Sequence, residues 1–290
     1  MSQQIDQARV SQFKSNVTAL YQQNGSKLKG KVREETLVGK QHFFERLGAT
    51  AAVKRTTRHA DTPQVDSPHS RRMVSASDFE WADLVDQQDK LKMLIDPQSD
   101  YAINAAKALG RAYDDEVIAA FDGLVYSGET GATTITFAND SPAGDLDPSA
   151  AAVVINDLLD IKKSLDDKDV DPDGRFILVS PAMLHQWLRK AEVSSADYNS
   201  IKALVQGTLT SFLGFEWVTS TRLPTAAGTD KYGFAWHRDS MGIAVSKDIT
   251  TRIDERSDKS YATQVYACMT MGATRVQGSG VVRFRIDEAA

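Results

Sequence analysis

The chain has 290 residues, of which 41% are apolar and 25% charged, with a formal net charge of −5 and a single cysteine. A globular chain of this length can bury about three quarters of its surface. No apolar run reaches the roughly 20 residues of a membrane span, and MSQQIDQARVSQFKSN lacks the apolar block of a secretory signal. Cys268 alone excludes an internal disulfide and a cysteine-rich zinc site, so a reducing cytoplasm is the expected setting and a buried strand position its expected place. Charge is unevenly spread. Lys27 to Arg72 holds eleven Lys/Arg against five Asp/Glu, and Asp78 to Asp173 holds seven against twenty-two. Either these are ordinary solvated faces, or the basic segment of one copy lies against the acidic segment of another.

Residues 1–33 read as a polar arm rich in glutamine, with a helical hint from Val10, Phe13, Val17, Leu20 and Tyr21. Residues 34–92 contain two strand-like runs, LVGKQHFFERLG and MVSASDFEWADLV, the second with Phe79 and Trp81 alternating against Asp78 and Glu80. Between them lies AVKRTTRHADTPQVDSPHSRR, almost without large apolar residues. A structureless connection of about twenty residues inside a compact domain needs a purpose. The pattern predicts a long two-stranded limb, and such a hairpin is barely stable alone, so it needs a surface elsewhere to lie on.

The stretch Asp96 to Gly123 predicts one long helix of roughly 40 Å, with Asp96 as cap, Pro97 in the first turn and Gly123 as a left-handed stop. Ala102, Ala105, Ala106, Leu109, Tyr113, Val117, Ala120, Phe121 and Leu124 recur at three- and four-residue steps and form its apolar face. Gly110 inside it costs up to about 1 kcal/mol relative to alanine, and nothing local explains it. Further on, TTITFAND carries a hairpin signal, and DPSAAAVVINDLLDIKKSL opens a second helix with Asp147 as cap. RFILVS is an apolar strand, Pro181 starts a third helix, and YGFAWHRD and SMGIAVS read as strands. The last two β-rich runs flank Gln277-Gly278-Ser279-Gly280, a hairpin signal. Strands and helices mix without strict alternation, so the fold class is α+β.

The search for chemistry comes back empty. There is no GxxxxGK[ST] and no GxGxxG between a strand and a helix. Asp169-Val170-Asp171-Pro172-Asp173-Gly174 has the acidic spacing of a calcium loop, but Ser180 stands where a bidentate Glu belongs. The five histidines include no HExxH, there is no GxSxG, and Cys268 has no neighbouring histidine. No catalytic, cofactor or metal residue is assigned. The basic run lacks interleaved aromatics, which argues against a nucleic-acid reader.

The order of parts resembles the major capsid proteins of tailed bacteriophages, the HK-ninety-seven-type capsid fold, over essentially the whole chain. HADTPQVDSPHSRRMVSASDFEWADLVDQQDKLKMLIDPQSDYAINAAKALGRAYDDEVIAAFDG is similar to that family's extended loop running into its spine helix. FILVSPAMLHQWLRK and LGFEWVTSTRLP resemble its axial domain, and VYACMTMGATRVQGSGVVRFRI its closing strands. The resemblance implies an N-terminal arm (1–33), an extended loop (34–92), a peripheral domain with the spine helix (93–147), an axial domain (148–244) and closing peripheral strands (245–290). It implies self-assembly into pentamers and hexamers of an icosahedral head shell around packaged double-stranded DNA, bound without sequence specificity. A portal, a separate scaffolding protein and a decoration or minor capsid protein are the implied partners, with no membrane. The virion is the implied location and the host bacterial cytoplasm the site of assembly. In the extended loop, Phe43, Phe44, Phe79 and Trp81 are the expected apolar anchors on a neighbour. Lys54, Arg55, Arg58, Arg71 and Arg72 are expected to face its acidic groups. An encapsulin-type nanocompartment shell shares this fold and stays open as an alternative, as does an unrecognised cytosolic enzyme.

Overall fold

The structure, a computed structural model, describes residues 22–58, 61–85, 98–142, 144–146, 155–189, 211–226 and 230–286. Four strands come first: β1 (Arg33–Thr36), β2 (Gln41–Leu47), β3 (His69–Ser75) and β4 (Ser77–Val85). The long helix α1 (Gln98–Asp122) follows, then β5 (Val125–Ser127), β6 (Thr133–Ile135), the single turn α2 (Phe137–Asp140) and β7 (Asp145–Leu146). Next are α3 (Ile155–Asp166), β8 (Arg175–Val179), α4 (Pro181–Arg189), β9 (Ser211–Phe212), β10 (Phe215–Thr219) and β11 (Lys231–His237). Three strands close the described chain: β12 (Met241–Arg256), β13 (Ala262–Arg275) and β14 (Val281–Ile286). They form three sheets, ordered β1-β12-β13-β4, β7-β14-β11-β8-β10-β9 and β2-β3-β5-β6. The contacts divide the chain into two compact units, one of residues 1–26, 78–112 and 247–269, the other of 27–77, 113–246 and 270–290.

In the larger unit the six-stranded sheet supplies the core. β8 is buried along its whole length, which is why FILV after Arg175 is a continuous apolar run rather than an alternating one. It pairs in parallel with β10 and antiparallel with β11. Phe121, near the end of α1, stacks on Phe234 of β11 at 4.8 Å and tilts against Trp236 at the same distance. Such aromatic pairs add about 0.5–1.5 kcal/mol beyond their buried area.

The helix keeps its predicted face. Ala105, Leu109, Tyr113, Val117 and Phe121 are buried, whereas Leu124, beyond the last turn, is 55% exposed. Its expected cap, Asp96-Pro97, lies outside the described residues. Gly123 is not the left-handed stop expected, since it is absent from the glycines with positive φ. Its N–H bonds Ala119 O at 2.9 Å, and a Cβ there would come within 2.8 Å of that same oxygen.

Gly110 now has a reason. In the smaller unit the backbone of Gly25 and Ser26 crosses the helix at this point, and a Cβ on Gly110 would lie 2.9 Å from three of its backbone atoms. Gly110→Ala is therefore expected to lose about 1–2 kcal/mol, overpacking outweighing the gain in helix propensity. A higher melting temperature for the unassembled variant would contradict this. In the larger unit the same segment is held by Asp114, whose buried carboxylate accepts the N–H groups of Lys27 and Leu28 at 3.0–3.2 Å.

Glu116 carries a pH signature. Burial against β13 raises its pKa, while the N–H of Ala273, donating to it, pulls the other way and only partly offsets this. The sign follows. A carboxyl whose folded value is raised stabilises the fold below its ordinary value and loses that contribution as pH rises through the raised one. Glu116→Gln is expected to raise the melting temperature of the unassembled subunit slightly at neutral pH and to leave it unchanged near pH 4. Parallel pH profiles for the two proteins would refute the assignment.

Several sequence expectations are corrected by the topology. MVSASDFEWADLV is not one strand: β3 ends at Ser75 and β4 begins at Ser77, and the two belong to different sheets. TTITFAND is not all hairpin, because FAND is the helical turn α2 after the β5–β6 pair. The runs around Gly278 are not a hairpin either. β13 joins the sheet with β12 and β4, and a 3-10 turn at Gly278–Gly280 sends β14 into the six-stranded sheet. Cys268 is half-buried rather than buried, with the Lys247 ammonium donating to its sulfur at 3.3 Å. The acidic loop is tied by a guanidinium. Arg175 donates to Asp166 at 2.6 Å, to Asp171 O at 2.9 Å and to Val170 O, taking up backbone oxygens that an ion would otherwise meet.

Candidate assembly surfaces

β2 and β3 form the base of the limb, an antiparallel pair in register from Gln41↔Ser75 to Leu47↔His69. Gly48 N–H closes the ladder on Pro68 O at 2.8 Å. Beyond that bond the chain is irregular, and every described residue from 49 to 68 is exposed. Its side-chain hydrogen bonds are local, Arg55 to Thr57 O and Gln64 to Asp66. Val53 and Val65 are exposed with the rest. Fixing the backbone costs about 1–2 kcal/mol per residue, and here no apolar surface is buried in return.

The nine residues expected at the interface separate into four groups. Lys54, Arg55 and Arg58 stand exposed on the limb, and no described ion pair includes them. Phe43 and Arg71 lie on the outward face of the β2–β3 pair. The Arg71 guanidinium rests over the Phe43 ring at 5.4 Å and meets Glu45 at 3.3 Å, an exposed pair worth at most about 1 kcal/mol. Phe79 and Trp81 are half-buried on β4 and so lie in another sheet, not at the limb's base as expected.

Phe44 and Arg72 are corrections. Phe44 is wholly buried in its own subunit, packed with Leu37, Val74, Ala244 and Val276, so it cannot anchor a neighbour. Arg72 is equally inaccessible: it pairs with Asp140 of the same chain, their side chains 5% and 7% exposed. Alternation puts Arg72 and Val74 on the face of the ladder that Phe44 shares, while Met73 between them is buried on the other.

Part of the acidic segment is answered within the chain. Asp115 pairs with Arg222, Asp122 and Asp145 with Arg283, Asp140 with Arg72 and Arg275, and Asp166 with Arg175. Asp114 is spent on backbone N–H groups. These six of the twenty-two carboxylates in Asp78 to Asp173 are therefore held within the subunit rather than offered to a neighbour. Sequence counting missed this because partners of Asp140 lie 68 and 135 residues away. Among the described residues no helix is long and apolar enough to cross a membrane.

The profile of the phage capsid protein family matches residues 5–288. No curated protein matches the chain in sequence. Among solved structures, the capsid of cyanophage P-SCSP1u superposes with a TM-score of 0.75 at 13% identity, covering 97% of this chain and 93% of that one. A Mycobacterium phage Che8 chain gives 0.69 at 17% identity, with 97% of each chain covered. A chain of the cyanophage Pam1 capsid gives 0.70 at 12% identity, with 98% of each covered. The α+β fold is thus shared over nearly full length, and the chain belongs to the phage capsid protein family.

Proposed function

We propose that the chain is the repeating subunit of a tailed-phage head, assembling through pentamers and hexamers into an icosahedral shell around double-stranded DNA. The observation that carries this reading is the limb at residues 49–68, of which every described residue is exposed. A neighbouring copy supplies the missing surface. Residues 34–92 then act as the extended loop, and residues 93–147 with 245–290 as the peripheral domain around residues 148–244. A separate scaffolding protein and a portal complete the assembly, as partners of the shell rather than of any pocket. Weak contacts repeated around a closed lattice add up to a stable particle, while single errors still detach.

Electron microscopy of the purified protein, expressed alone and with its scaffolding protein, tests the reading. Closed shells of pentamers and hexamers are expected. A discrete dimer, or shells enclosing an enzyme and no nucleic acid when isolated from infected cells, would overturn it. The charges on the limb give a further check. Lys54, Arg55 and Arg58 changed together to Glu are expected to slow assembly most in dilute salt. The deficit should shrink near 1 M, where the screening length falls to about 3 Å. A deficit independent of salt would remove charge from the docking.

A further inference from the structure

Asp140, at the end of α2, is shared by two guanidinium groups from distant strands. Arg72 on β3 donates to Oδ1, and Arg275 on β13 donates to Oδ2 at 2.8 Å. Arg275 is better provided for, although its Nη2 is buried and meets no acceptor among the described residues. Its Nη1 donates to Phe121 O at 2.6 Å, at the carboxyl end of α1, where helix carbonyls carry negative partial charge. Its guanidinium also lies over the Phe137 ring at 4.9 Å.

Arg72 is not so placed. Its Nε and Nη1 are sealed from solvent and meet no acceptor among the described residues. Arg46, half-buried and bonded to Val276 O at 3.0 Å, adds a further positive charge close by. Two buried cations therefore share one carboxylate. A buried ion pair roughly breaks even when balanced, and an unmatched buried charge is costly. Arg275 already balances Asp140, so Arg72 brings charge into the body without an anion of its own. Arg72 also lies on β3, directly continuous with the limb, opposite Phe44 on one side and Ser127 of β5 on the other.

We propose that Arg72 is a positioning residue for assembly rather than for folding. It makes the joint between limb and body a two-state latch, closed on Asp140 in the free subunit and opened at low cost when the limb seats on a second copy. The assembly half of this inference rests on the reading of the chain as a shell subunit.

Arg72→Met and Arg275→Met separate the roles. Arg72→Met keeps the volume, leaves one cation to one anion, and is expected to melt at or above the wild-type temperature as unassembled subunit. Amides of β2 and β3 in that variant are expected to exchange about tenfold more slowly, and closed shells to form in lower yield. Arg275→Met is expected to melt far below wild type. If Arg72→Met loses as much thermal stability as Arg275→Met, Arg72 is structural and the proposal fails. Unchanged exchange would remove the two-state joint, and a normal yield of shells would remove the role in assembly. Exchange is read on free subunits, so it judges the latch even if the wild type forms no shell, an outcome that would sink the shell reading itself.

Discussion

Asp140→Ala is expected to cost the unassembled subunit about 3–5 kcal/mol, because it strands two buried guanidinium groups with no carboxylate between them. At this chain length that lowers the melting temperature by roughly 10 °C. The Arg275 side chain is fully inaccessible and cannot turn to water, and Arg72 is 5% exposed. Asp140→Asn keeps an acceptor for one of them but not the charge, and is expected to fall between the alanine variant and the wild type. Thermal or urea unfolding of the three proteins checks the order. Equal stabilities would mean that the carboxylate is not what offsets the buried charge.

The second large effect concerns the limb. Replacing residues 49–67 with Asn-Gly, a favoured two-residue hairpin turn, leaves the β2–β3 ladder through Leu47↔His69 intact. The removed side chains touch no core, so circular dichroism and melting of the free subunit are expected to match wild type within about 0.5 kcal/mol. Closed shells are expected to disappear. The cut stops short of His69 because that residue begins β3, and a longer deletion would confuse loss of the ladder with loss of docking. Shells forming at the wild-type rate would locate the contact between copies somewhere other than the limb.

Much of the architecture is legible residue by residue. The three- and four-step recurrence from Ala105 to Phe121 marks the long helix and its buried face, and RFILV marks a strand covered on both sides. The polar run between Phe44 and Met73 marks a limb without a core. Other elements leave no such trace. KDITTRIDER extends β12 to sixteen residues although it is exposed nearly throughout, so no alternation of apolar and polar side chains announces it. Gly110 is puzzling in a helix until the crossing of Gly25 is seen. Phe44 and Arg72 look like their neighbours Phe43 and Arg71, and only the side of the ladder they occupy tells that the first two are sealed inside.

By itself the sequence determined the long helix with its apolar face, the buried strand FILV and the polar limb, because those are properties of spacing along a few turns. Only the tertiary structure decided which sheet each strand joins, which aspartates of the acidic segment are paired within the chain, and that one aspartate answers to two arginines. Charge composition counts ions without saying which of them meet. Meeting is settled by packing between residues a hundred or more positions apart, where no local period reaches.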